Sequence, residues 1–266
     1  MKRVVERSPL LASTFLSVAL GLPVYILLLV LTGVPQLRPG FFPALLAGVA
    51  LNIITIPLRN LALRLSPLSL TIPFLAFTPL FMLATEALLL GDRPGWRGMS
   101  GVILIVVGVY AMQLGEGVGP LGPLRAIARE RGSLISLGVA AIWSVTSAID
   151  KICVTRSSPF FYAATFTLMY VAGSLPILLL THRPILPTAR REWRLLGLVA
   201  AANVGTLLTQ LLAIQLTLVS YVIAIKRSGM LLSVIIGAVF FGERQLERRL
   251  LGAALMSVGV ALILTG

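Results

Sequence analysis

Apolar residues fall in long unbroken runs at roughly 10–32, 41–63, 67–90, 97–116, 133–151, 158–181, 193–217, 219–241 and 248–265. Each is close to the ~20 residues that carry an α-helix across the hydrocarbon core of a bilayer. The runs are continuous rather than alternating, which is the pattern of spanning helices and not of barrel strands. Only a helix satisfies its own backbone hydrogen bonds in lipid. The pattern predicts an all-α, polytopic membrane protein with nine transmembrane helices.

The runs are not independent of one another. Residues 52–110 align without a gap on residues 203–261, with 17 identities in 59 positions. Asn52 falls on Asn203, Thr55 on Thr206, Gly91-Asp92 on Gly242-Glu243, Arg97 on Arg248, Gly101 on Gly252 and Gly108-Val109 on Gly259-Val260. This is an internal duplication, and paired halves of membrane helices are a common build of secondary transporters, with the substrate site between them. The longest non-apolar stretch holds Gly117, Gly119, Pro120, Gly122 and Pro123, followed by Arg125, Arg129, Glu130 and Arg131. It reads as a linker at 117–132 between a first repeat, 1–116, and a second, 133–266.

The duplication also accounts for the odd number of spans. The second repeat opens with the run 133–151, and Met1-Lys2-Arg3 at the head of the first repeat corresponds to the tail of that run. Four helices plus five are expected, and the reading favours a start assigned too far downstream, or a fragment, over a natural nine-helix protein. A signal peptide is rejected, because the first run is too long and no small-residue cleavage pattern follows it.

Composition agrees with a lipid solvent: 58% of residues are hydrophobic and 12% charged, with a mean hydropathy of +0.99. The formal charge of +13 comes from Arg residues placed singly or in short groups between apolar runs. There is no basic aromatic face to follow a phosphate backbone, so nucleic acid is not an expected partner. Counted over alternate loops, 15 Lys and Arg residues, Arg59 and Arg64 among them, flank one side and four the other, which predicts that the first set is cytoplasmic. A single cysteine, Cys153, excludes an internal disulfide and a Cys-based zinc cluster, and the single His182 lies in a loop. No metal or cofactor site is expected.

The ends of the two repeats carry a family pattern. Leu89-Leu90-Gly91-Asp92 with Arg97, Gly101 and Gly108-Val109, and Phe240-Phe241-Gly242-Glu243 with Arg248, Gly252 and Gly259-Val260, resemble the EamA-type repeat of the drug/metabolite transporter superfamily. The resemblance covers nearly the whole chain. It implies two inverted five-helix repeats around a cavity open to alternate sides of the membrane, here lacking the first helix of the first repeat. It also implies export of amino acids, nucleosides, sugars or drug-like solutes across the cell membrane, without a cofactor. Gly101, Gly108, Gly252 and Gly259 are expected to let helices approach closely. Gly91 and Gly242 should close helices, with Asp92 and Glu243 capping the next.

Candidate binding and coupling residues are those that are expensive to hold in lipid. Glu86, Lys226 and Arg227 lie inside apolar runs, and Lys151 ends one. Glu86 and Lys226 are expected to pair across the repeat interface, and Glu86 is the candidate for proton coupling. Asn52, Asn203, Thr206, Thr209 and Gln210 form a second group that could hydrogen-bond a substrate or a neighbouring helix. Trp143, Tyr162, Tyr170 and Tyr221 are candidate stacking residues. Pro23, Pro57, Pro73, Pro79 and Pro176 interrupt spans and would free carbonyls or permit bends. No Gly-rich phosphate loop is present, so direct ATP drive is not expected. The reading is a secondary transporter of small organic metabolites, in contact with the bilayer and its substrate, with a homodimer as a candidate assembly. The alternatives are an intramembrane enzyme acting on lipid or an isoprenoid phosphate, and a non-transporting accessory subunit.

Overall fold

The computed structural model describes residues 10–65, 74–112, 131–180, 185–229 and 246–265. Among them are helices α1 (Leu10–Ala19), α2 (Leu22–Thr32), α3 (Phe41–Leu65), α4 (Thr78–Leu89), α5 (Trp96–Met112), α6 (Arg131–Arg156), α7 (Pro159–Leu180), α8 (Ile185–Leu216), α9 (Val219–Ser228) and α10 (Leu246–Leu264), and no strand. Five stretches are long and apolar enough to cross a membrane: Ala12–Thr32, Phe41–Leu65, Arg131–Arg156, Pro159–Leu180 and Trp193–Leu216. Thr78–Leu89, Trp96–Ala111 and Leu251–Leu264 are shorter apolar helices. The expected linker up to Glu130, the basic N-terminus, Pro73, His182, Gly242 and Glu243 lie outside the described residues.

Several expected boundaries move. The run 133–151 extends to Arg156, so Asp150 and Lys151 lie within the helix instead of ending it. The first run divides at Gly21, where Pro23 starts α2; Pro79 likewise starts α4. At a helix start the missing proline N–H has no intrahelical acceptor to lose, so these two residues are start signals and not interruptions. Pro57 and Pro176 do lie inside helices. Gly91 closes α4 with φ +72°, a left-handed conformation that other residues adopt at a cost. Asp92 stands four residues ahead of Trp96, and the Gly95 carbonyl accepts the first bond of α5 from Met99 N–H at 2.9 Å. The cap position is therefore Gly95.

The described contacts divide the chain into two compact units, and neither unit is a sequence repeat. One comprises Met1–Asn60 with Ile149–Leu216, the other Leu61–Ala148 with Thr217–Gly266. In the first, α1 packs on α7 and α8, and α2 on α7. The Gly40 backbone, at φ +83°, lies against the Arg156 guanidinium, and Arg38 N–H donates to the Arg156 carbonyl at 2.9 Å. This seats the connection between α2 and α3 on the end of α6.

The second unit is built on α5 and α10, which are equivalent helices of the two repeats. A Cβ added at Gly101 would stand 2.6 Å from the Gly259 carbonyl oxygen, and one at Gly259 would stand 2.7 Å from that of Gly101. Gly108 faces the Gly252 oxygen in the same way, at 2.6 Å. Residue numbers rise along one helix as they fall along the other, and Arg97 Nη1 donates to the Thr265 carbonyl at 3.4 Å. The helices are antiparallel. In the repeat register Gly101 corresponds to Gly252, Ile105 to Met256 and Gly108 to Gly259. Ile105 lies on Gly259 and Met256 lies on Gly108. The contact is thus its own image when the two copies are exchanged. Val102, Ile105, Val109, Met256 and Ile263 form a core there with Ala76, Tyr221 and Ala224.

Because backbone atoms occupy the space, Gly108→Ala should destabilise the protein by about 1–3 kcal/mol, the usual cost of overpacking. Gly138→Ala is the control, since nothing lies within 4 Å of a Cβ at that position in α6. Melting temperatures of the detergent-purified variants check this. Equal values for the two would contradict the close approach.

Candidate functional site

In the first unit α3 carries a polar face. Asn52, Thr55 and Arg59 recur at intervals of three and four residues, which places them on one side of a helix. Asn52 Nδ2 donates to the Gly48 carbonyl at 2.9 Å, and Thr55 Oγ1 donates to that of Leu51. These bonds satisfy the side chains within the helix. Arg59 Nη2 reaches Asn60 Oδ1 at 3.3 Å, and Asn60 Nδ2 reaches Thr14 Oγ1 at 3.4 Å. Arg59 Nε is buried without a hydrogen-bond partner.

Two further elements of that unit complete the polar group. Tyr162, 1% exposed, donates its hydroxyl to Asp150 Oδ1 at 2.6 Å. That length lies within the ordinary range of an O–H···O bond. Gly48 lets α3 approach here: a Cβ added at that position would stand 3.2 Å from the Ile149 side chain and 3.7 Å from the Tyr162 hydroxyl. Tyr162, Phe166 and Tyr170 form a ladder along α7, with ring centroids 5.6 and 6.3 Å apart. Arg59 lies within electrostatic range of the Tyr170 hydroxyl. The unit therefore sets a carboxylate, a guanidinium and a row of rings among α3, α6 and α7.

In the second unit Glu86 is fully buried. Its Oε1 accepts from Val219 N–H, the first residue of α9. The preceding residue, Leu218, has no side chain able to cap the helix. A carboxylate from α4 takes that place, where the helix dipole favours a negative charge. Lys226 is exposed and lies seven residues beyond Val219, ~10 Å along the axis at 1.5 Å per residue. One partner of Glu86 is thus a helix start, and Lys226 lies about two turns further along α9. Arg227, half-buried, shares the last turn of α9 with Lys226, where cations complement the dipole.

The remaining expected residues are spread over both units. Asn203 and Gln210 are half-buried and Thr206 exposed on α8; Trp143 and Lys151 are half-buried on α6. Of the expected residues, Tyr162 and Tyr170 share the first unit's polar group, and Asn52 lies on the same face of α3 as Arg59. Sequence reasoning misses Asp150 and Arg59 because it treats the first charges met along a run as the end of the span. Arg59, counted among the flanking charges, lies six residues inside α3. One signal exists: Arg59 falls on Gln210 in the repeat alignment, so that helix position is polar in both copies. Among the described residues no three His, Cys, Asp or Glu side chains come together as metal ligands.

Replacing Glu86 separates its two contributions. Glu86→Gln keeps an acceptor for Val219 N–H and should cost less than Glu86→Ala, which strands that N–H at about 1–3 kcal/mol. Hydrogen exchange over the first turn of α9 should rise in the order wild type, Gln, Ala. An order in which Gln and Ala are equal would remove the capping role.

No curated protein matches the sequence. A crystal structure of a protein superposes with a TM-score of 0.77 at 21% identity, covering 98% of this chain and 89% of that one; at such identity the likeness shows the fold alone. The EamA-like transporter family matches residues 1–114 and 130–265, one match to each repeat. The glycine pattern, the duplication and the apolar helices converge with that match: the chain is a multi-pass membrane protein belonging to the EamA-like transporter family.

Proposed function

We propose that the protein is a secondary transporter that exports small organic metabolites across the cell membrane, alternating access between two inverted repeats of four and five spans. The observation that carries this reading is the antiparallel, self-reciprocal contact of α5 with α10. Equivalent helices from parallel repeats would run in the same direction, whereas inversion gives the relation seen here. The compact units each draw helices from both repeats, so the rigid bodies of the cycle are these units and not the sequence halves.

A proton is the proposed coupling ion. Its carrier is assigned to Asp150 in place of Glu86, one of whose oxygens accepts from the start of α9. An intramembrane carboxylate hydrogen-bonded to a neighbouring helix is suited to exchange a proton with solvent as its surroundings change.

Untargeted metabolite profiling tests transport itself. Overexpression should raise one class of small organic solutes in the medium, and deletion should raise the same class inside the cell; unchanged profiles in both would overturn the reading. Asp150→Asn tests coupling, because the amide oxygen still accepts from Tyr162. Efflux should fall on the order of tenfold, the equivalent of ~1.4 kcal/mol, with the melting temperature nearly unchanged and the residual flux insensitive to a protonophore.

A further inference from the structure

The first unit contains the same joint twice. A Cβ added at Gly173 of α7 would stand 2.8 Å from Ile53 Cδ1 of α3, and one at Gly21, between α1 and α2, would stand 2.9 Å from Val204 Cγ2 of α8. Ile53 and Val204 occupy the same position of the repeat, since Asn52 aligns with Asn203. The glycines correspond as well. Ser8-Pro9 and Ser158-Pro159 open equivalent spans, and Pro23 and Gly173 each lie 14 residues beyond that proline. Both spans are weakened as helices at this place. Pro23 offers no N–H to the Ala19 carbonyl, and Gly21 N–H donates to the Val18 carbonyl, three residues back, at 3.0 Å. In α7, Pro176 offers none to the Ala172 carbonyl, and Ser174 Oγ donates to the Tyr170 carbonyl at 2.6 Å. Prolines and glycine–serine pairs are where helices bend.

The two joints face opposite ways. α3 and α7 run in the same direction, because Phe41 meets Phe161 near their starts, with ring centroids 5.5 Å apart, and Ile53 meets Gly173 further along. α1 and α2 run against α3: Asn60, near the end of α3, donates to Thr14 of α1, and residues 33–40 join the end of α2 to the start of α3. The segments past the joints, α2 and residues 174–180, therefore extend toward opposite ends of the unit. Each is lightly held, with Tyr25 and Leu178 buried but Ile26, Leu27, Ile177 and Leu179 exposed.

We propose that the two glycine seats are flexing joints, and that α2 and residues 174–180 bend about them to open the protein to opposite faces of the membrane. The inference rests on the transporter reading and adds a gate at each face to the movement of the units. A bare Cα rolls past the tip of a side chain where an added methyl group would obstruct it. The duplication places one gate at each face, because an element copied into an inverted repeat is turned over with it. A bend of about 20° would move the end of α2, ~16 Å from Gly21, by about 6 Å, and the end of α7 by about 4 Å.

Spin-label distances in the full chain, reconstituted in lipid nanodiscs with Cys153→Ala removing the single cysteine, test this without relying on flux. α8 is the common reference. Labels at Leu31 and Leu198 read α2, and labels at Leu179 and Leu216 read the end of α7; all four side chains are exposed. With both glycines present, each pair should give two distances. Gly173→Ala should remove the second distance from the α7 pair and leave both at the α2 pair, and Gly21→Ala should do the reverse. Ile53→Ala added to Gly173→Ala, and Val204→Ala added to Gly21→Ala, should restore the lost distance by making room for the methyl group. Gly173→Ala, whose Cβ meets only the tip of Ile53 within 4 Å, carries the test if Gly21→Ala does not purify. A single distance at both pairs with the glycines present would overturn the joints. So would variants whose melting temperature falls while both distributions stay unchanged, the result of packing alone. Two distances with no solute flux in cells would count instead against the transporter reading.

Discussion

The second compact unit depends on one approach of backbone to backbone. Lipid gives helices no hydrophobic reason to associate, so close van der Waals contact must supply the attraction. At Gly101, Gly108 and Gly259 the space that a side chain would fill holds a carbonyl of the opposing helix. The rest of the unit is fitted around this pair. Tyr221 of α9 sets its hydroxyl against Gly98 of α5, and α9 packs on α4, α5 and α10. The start of α9 is in turn fixed by Glu86 from α4. Each step needs the one before it, since α9 has only ten residues and no cap of its own.

Three intramembrane charges are accommodated by three different devices. Glu86 meets an uncapped helix start, Asp150 meets a buried phenol, and Arg59 donates to the Asn60 side-chain oxygen. The first two partners come from the chain itself, one from the main chain and one from a side chain.

How much of this is legible in the sequence follows from the range of each interaction. The duplication, the helical class and the role of Gly101, Gly108, Gly252 and Gly259 are readable, because a backbone contact tolerates no side chain and the glycines survive in both copies. Helix ends are less so. Asp150 and Lys151 look like a boundary, yet α6 continues to Arg156 because Tyr162, twelve residues on and in another helix, accommodates the carboxylate. Arg59 looks like a flank by the same logic. The bond from Val219 to Glu86 has no residue signature at all, since its donor is a main-chain N–H. Leu218 at the start of α9 is the sole local trace, a helix without a capping side chain.

The remote cap also sets a condition on biosynthesis. Val219 follows Glu86 by 133 residues, and at ~5–20 residues per second a ribosome takes roughly 7–27 s to cover that distance. Throughout this interval α4 exists without the helix that receives its carboxylate, and α5 lacks α10. A charged, short helix of this kind cannot rest alone among lipid tails, so the insertion machinery or the water beside it must shelter α4 until the end of the chain emerges. The burial of Glu86 in the first repeat is therefore completed by a residue of the second.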